Sequence, residues 1–121
     1  MNQRKYDLED RLVAFACMCL DVCELLPSSR YGQNLEYQLS KSGTAPALLY
    51  GEAQAAESRA DFIHKMRIAL KELRESRVNL RIILEKPIIN ANHVQDTFTE
   101  VNELIAIFTS SIETAKRNSN K

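Results

Sequence analysis

Three cysteines, two histidines and one segment crowded with arginine and lysine are the side chains of this 121-residue chain that could do chemistry. Cys19 and Cys23 stand four residues apart, which puts both thiols on one face of a helix, while Cys17 points elsewhere. A zinc site wants four ligands at turn-type spacings, and no second cysteine pair completes this one. The three thiols lie too close together in sequence to close the long loops of a secreted scaffold, so they read as reduced thiols of a cytoplasmic protein. Asp21 and Glu24, the nearest charges, oppose thiolate formation. The cysteines are therefore expected to act as small buried hydrophobes, with no thiol function.

A di-iron carboxylate bundle needs Glu-x-x-His twice, with further glutamates facing it. The chain has Asp61-Phe-Ile-His64 once, at a helix start, and nothing similar near His93. Glu72 and Glu75 resemble a carboxylate pair by spacing, but Lys71, Arg74 and Arg77 surround them, as on a solvated ion-pair face. No phosphate-binding glycine loop, nucleophile elbow or zinc-protease string occurs. No catalytic residue, metal or cofactor is expected. The enzyme alternative is a metal-dependent bundle using Glu52, Asp61, His64, Glu72 and Glu75.

Charge is more informative. Sixteen basic and sixteen acidic residues cancel over the whole chain, which argues against a protein that coats polyanions on every side. From Arg59 to Lys86, however, eight basic residues face four acids, net +4. At about 100° per residue, Arg67, Lys71, Arg74 and Arg81 fall within about 80° of one another, a stripe able to meet a phosphate backbone. The competing expectation is pairing with acids of the first and last helices, among them Asp21, Glu24, Asp96, Glu100 and Glu103. No aromatic residues are interleaved to stack on bases.

These residues must be held by helices. Glycine and proline number three each, so turns are few and the segments between them long. Leu8, Leu12, Phe15, Cys19, Val22 and Leu26 give a first helix over about 7–26, stopped by Pro27. Leu35, Leu39, Ala45 or Pro46, Leu49 and Ala53 give a second over about 31–54. Ser58 with Asp61 resembles a capping box opening a third over about 59–86, whose stripe runs from Phe62 through Met66, Leu70, Leu73 and Leu80 to Leu84, interrupted by Arg77. Asn92 is a plausible cap for a fourth over about 92–117, carrying Val94, Phe98, Val101, Leu104, Ile105, Phe108 and Ile112. Long helices with short connectors predict an all-α, antiparallel up-down four-helix bundle in one domain spanning 1–121. The longest apolar run, Leu12 to Leu20, is far shorter than the roughly 20 residues that span a bilayer, and no export signal or membrane partner is expected.

Two features of the pattern exceed what a single core needs. Ile68, Val78 and Ile82 fall away from the apolar stripe of the third helix, and they are expected to meet a neighbouring subunit. Ser42-Gly43-Thr44-Ala45-Pro46 interrupts the second helix with a poor helix former and a proline, which predicts a kink, with a loop as the alternative. Gly43 is expected to let this helix approach a neighbour closely, so that Gly43→Leu weakens folding or assembly several times more than Gln38→Leu does.

The run Ser42-Gly43-Thr44, Glu52-Ala53, Ser58, Asp61-Phe62-Ile63-His64-Lys65 and Ile68-Ala69-Leu70-Lys71-Glu72, continuing through Glu75-Ser76-Arg77 to Leu80 and Ile83-Leu84, resembles the bacterial four helix bundle protein family. That family includes proteins encoded in intervening sequences of large-subunit ribosomal RNA genes. It is similar to the accessory variability protein of diversity-generating retroelements. The resemblance implies a four-helix protomer in a ring, commonly a homopentamer, without enzymatic activity. RNA or a reverse-transcriptase/RNA complex is the implied partner. Many relatives carry Asn near Leu48 and an aromatic near Asn79, so contacts made by those groups are altered here. The expectation is a homo-oligomeric scaffold contacting structured RNA through Arg67, Lys71, Arg74 and Arg81, the alternative a protein-only adaptor.

Overall fold

The computed structural model describes residues 7–119, which form four helices: α1 (Leu8–Leu25), α2 (Arg30–Gln54), α3 (Arg59–Glu85) and α4 (Ala91–Ser119). Short polar side chains start them. The Asp7 carboxylate accepts the N–H of Asp10 at 2.8 Å, Ser29 Oγ that of Gly32 at 3.2 Å, and Ser58 Oγ that of Asp61 at 3.0 Å, each satisfying a donor that the first turn leaves over. The fourth start differs from expectation. Asn90 Oδ1, rather than Asn92, receives an amide, that of Asn92 at 2.9 Å, and the helix begins at Ala91. α1 ends where Leu26 turns extended ahead of Pro27, as the residue before a proline prefers.

The helices form an antiparallel four-helix bundle in which α1 packs on α2, α2 on α3, α3 on α4, and α4 closes on α1 as the loosest seam. Across the diagonals only side chains meet, as where the Tyr50 ring of α2 contacts Phe108 of α4 edge-on at 6.3 Å. Phe15 and Phe108 are the largest fully buried side chains, and Leu12, Leu39, Met66, Leu73, Leu80 and Leu104 fill the space around them. The expected stripes of α1, α3 and α4 line this core, while Leu8, Leu26, Phe62, Leu70, Leu84 and Phe98 are partly buried at its margin.

No loop breaks α2 at the proline. Pro46 is buried inside a helix that runs on to Gln54, and it rather than Ala45 takes the core position. Leu48 points outward, while Leu49 and Tyr50 pack against the core. Gly43 explains why α2 needs a residue without a side chain there. A Cβ built on it would lie 2.7 Å from both Cβ and Sγ of Cys19, so glycine sets the distance between α1 and α2. On the opposite flank of α2, Ser42 and Ser76 are buried hydroxyls 2.9 Å apart, and the Asn79 amide donates to Ser42 Oγ at 3.4 Å. This polar clasp fixes how α2 and α3 align, because sliding either helix would leave buried hydroxyls without partners.

Candidate nucleic-acid interface

α3 carries the candidate cations and has two flanks. One faces α2, where Ser76 and Asn79 reach Ser42 and Lys65 meets Glu52 at 2.8 Å. Arg67, Arg74 and Arg81, spaced seven apart and so nearly aligned along the helix, lie on the other flank, with Lys71 on the outermost edge. All four are exposed. Arg81 pairs with Glu85 one turn on at 2.6 Å. Arg67, Lys71 and Arg74 have no carboxylate within ion-pairing distance among the described residues.

The acids expected to neutralise this stripe are turned away from it. Arg11 on α1 donates two hydrogen bonds to Glu100, at 2.8 and 3.1 Å, and a third to Glu103 at 3.0 Å. His93 Nε2 lies 3.8 Å from Asp21. These contacts fix α4 with its acidic flank against α1, and the backbones of α1 and α3 stand apart across the diagonal. Glu100 and Glu103 are thus neutralised by Arg11 on the α1 flank and leave α3 positive.

The candidate residues do not all share one place. Lys71, Arg74 and Val78 line a shallow depression of about 500 Å³ with Gln38, Glu75 and Asn79. Ile82 lines a second, mostly apolar depression of about 320 Å³ with Tyr31, Asn34, Leu35, Lys86 and Ile88. Val78 is 53% and Ile82 47% exposed, whereas Ile68 is half-buried. Asn79, where an aromatic was expected in relatives, is tied to Ser42 instead of standing free. Glu72 lies one turn before Ser76, on the flank that faces α2, with Oε1 buried and unpartnered; burial first, then Glu75, raises its pKa, against lowering by Lys71 and Lys41.

The other chemistry-bearing residues do not converge. Glu52 is engaged by Lys65, and no group of three or more His, Cys, Asp or Glu side chains among the described residues could hold a metal. Cys19 and Cys23 are buried and Cys17 is exposed. Burial pushes the Cys19 thiol well above its ordinary range, and Cys23 up to about 11 with help from Glu36 and Glu24. Cys23 Sγ donates to the Glu36 carbonyl at 3.6 Å. Among the described residues no helix is long and apolar enough to cross a membrane.

Sequence reasoning missed the partner row on α4. Since Glu100 and Glu103 face α1, the opposite flank of α4 borders α3, and there Gln95, Asn102 and Thr109 recur every seven residues, all exposed. Their seven-residue spacing was readable, but as neutral polar residues on a surface helix they gave no signal until the fold set them beside the arginines.

Residues 4–110 match the family model described as 23S rRNA-intervening sequence protein. A crystal structure of a protein of unknown function from the S23 ribosomal protein family of Bacteroides thetaiotaomicron is similar, with a TM-score of 0.81 and 27% identity over 88% of this chain and 98% of that one. No curated protein matches significantly.

Proposed function

The chain belongs to the 23S rRNA-intervening sequence protein family, and from this premise we propose that it is a non-enzymatic, self-associating scaffold that binds structured RNA through α3. The observation that carries this reading is the exposure of Arg67, Lys71 and Arg74 without acidic partners among the described residues, on a bundle in which Arg11 holds Glu100 and Glu103 on the far flank of α4. Three free cations on one helix neutralise phosphates without sequence preference. Each protomer's patch is weak, so several copies acting together raise the avidity. Val78 and Ile82, exposed apolar residues on the same helix, together with Ile68, are the proposed subunit contact.

Electrophoretic mobility shifts across a salt series test the binding. With three phosphates engaged per protomer, affinity should fall about fortyfold between about 50 and about 200 mM salt. Replacing Arg67, Lys71, Arg74 and Arg81 with Ala should abolish binding. Absence of retardation near 50 mM salt, or binding indifferent to the four substitutions, refutes the proposal. The placement of Val78 in one depression with Lys71 and Arg74 favours a second reading, a protein-only adaptor whose cations serve the subunit contact. In that case the same substitutions dissociate the oligomer, seen by light scattering, and the wild-type protein binds no RNA.

A further inference from the structure

The face shared by α3 and α4 is more specific than a basic patch. Along α3 run Arg67, Arg74 and Arg81; along the adjoining flank of α4 run Gln95, Asn102 and Thr109. Each row extends about 21 Å, and helices in contact lie roughly 8–10 Å apart, so the rows are close and parallel. Half-buried Leu70 and Phe98 pack against the core beneath this face. One row offers charge, the other a hydroxyl and two amides, the amides able both to donate and to accept. Thr109 already gives its proton to the Ile105 carbonyl at 2.8 Å, which leaves its oxygen as an acceptor facing solvent. The carboxylates bordering this face are occupied locally, Glu85 by Arg81 and Glu113 by Lys116. Among the described residues the exposed aromatics, Tyr31 and Tyr37, belong to α2.

We propose that this two-helix face recognises double-helical RNA across its shallow minor groove, the arginine row on phosphates and the Gln95, Asn102 and Thr109 row on 2′-hydroxyls. The inference rests on the RNA-binding reading above and names its ligand. Single-stranded RNA is bound through bases splayed onto aromatic platforms, and this face has no exposed ring, Phe98 being half-buried. A DNA duplex supplies phosphates but no 2′-hydroxyl, so the α4 row would find nothing to bond. An A-form RNA duplex presents phosphates and 2′-hydroxyls side by side on one wide surface, matching two parallel rows of different chemistry.

The test is fluorescence anisotropy at one salt concentration with the full chain and three labelled probes: an RNA duplex of about 20 base pairs, a DNA duplex of the same sequence, and one strand of that RNA alone. The RNA duplex should bind at least about tenfold more tightly than either other probe. Asn102→Ala with Thr109→Ala should bring RNA-duplex affinity down to the DNA level and leave DNA affinity unchanged. Arg74→Ala should weaken all probes alike and lower the salt slope by about one. All these positions are exposed, so melting by circular dichroism should match wild type; if the double variant melts early, Gln95→Ala with Asn102→Ala makes the same comparison. Equal affinity for RNA and DNA duplexes, tighter binding of the single strand, or an unchanged RNA preference in the α4 variants overturns the inference while leaving RNA binding standing. If none of the probes binds, the RNA-binding reading itself has failed, and this inference with it.

Discussion

Alanine at Gly43 sets two known effects against each other. Inside a helix, Gly→Ala ordinarily stabilises by about 1 kcal/mol, because alanine loses less backbone entropy on folding. The new Cβ, however, would stand 2.7 Å from Cβ and Sγ of Cys19. The sulfur can rotate away, but the Cβ is fixed to the α1 backbone. Restoring an ordinary carbon contact of about 3.5–4.0 Å then requires α1 and α2 to part by roughly 1 Å along a packed seam. Overpacking of this kind costs about 1–3 kcal/mol. The net expectation for Gly43→Ala is destabilisation of about 0–2 kcal/mol, against a propensity prediction of the opposite sign.

Gly51 supplies the control, since it is helical, exposed and has nothing within 4 Å of its would-be Cβ. Gly51→Ala should stabilise by about 0.4–1 kcal/mol. Urea unfolding followed by circular dichroism measures both, and the two variants should differ by about 1–3 kcal/mol with unchanged m-values. Equal stabilisation by the two alanines would show that α1 and α2 are not held at contact by Gly43, and the close-approach account would be wrong.

Glu72 should govern a pH effect: burial raises its folded pKa, so between the unfolded and folded values the native state holds more protons and stability falls as pH rises through that window. Glu72→Gln should therefore melt no lower than wild type at neutral pH, with the difference fading below the unfolded carboxylate pKa of about 4.3; a lower melting point at pH 7 contradicts it. Iodoacetamide at about pH 8 should modify Cys17 alone in the native protein and all three thiols in denaturant, since Cys19 and Cys23 are buried and hard to ionise. A second native thiol reacting at the Cys17 rate would disprove the packing of α1. A double-mutant cycle between Arg11 and Glu100, whose side chains are 23% and 21% exposed, should give a coupling of about 1 kcal/mol. The cycle with Glu103, 60% exposed, should give less, and equal couplings would mean that Arg11 does not prefer Glu100.

The helices were legible because burial repeats every three to four residues, and Phe15, Leu73 and Phe108 lie on the apolar faces their spacing predicts. The conflict at Ser42 to Pro46 marked a close contact correctly, since Gly43 meets Cys19 there. Gly32 carried no such warning. Its would-be Cβ falls 1.9 Å from the Pro27 carbonyl oxygen, a clash created by how the connector folds back on the first turn of α2. Ser42 and Ser76 were also unreadable as partners, because which two hydroxyls share a seam depends on helix alignment. The same holds for the cations. Composition along α3 revealed the arginines, but whether Glu100 and Glu103 reached them depended on the rotation of α4, which its buried stripe from Val94 to Ile112 sets and the Arg11 contacts reinforce.

That rotation reconciles a neutral chain with a locally positive helix. Diagonal helices of such a bundle lie about 14 Å apart if adjacent ones are about 10 Å apart. Two unit charges at that distance in water interact by about 0.3 kcal/mol, and the Debye length of about 8 Å at physiological salt reduces this below about 0.1 kcal/mol. Asp21 and Glu24 on α1 therefore contribute almost nothing to the potential above α3, although they count fully in the net charge. What an approaching phosphate meets is set within roughly one Debye length, by Arg67, Lys71 and Arg74, with Glu72 and Glu75 on the same helix as the only near opposition among α3's central turns. Glu72 is half-buried with an oxygen held away from solvent. The local excess of positive charge is thus a consequence of helix order and rotation, which the net charge of the chain does not record.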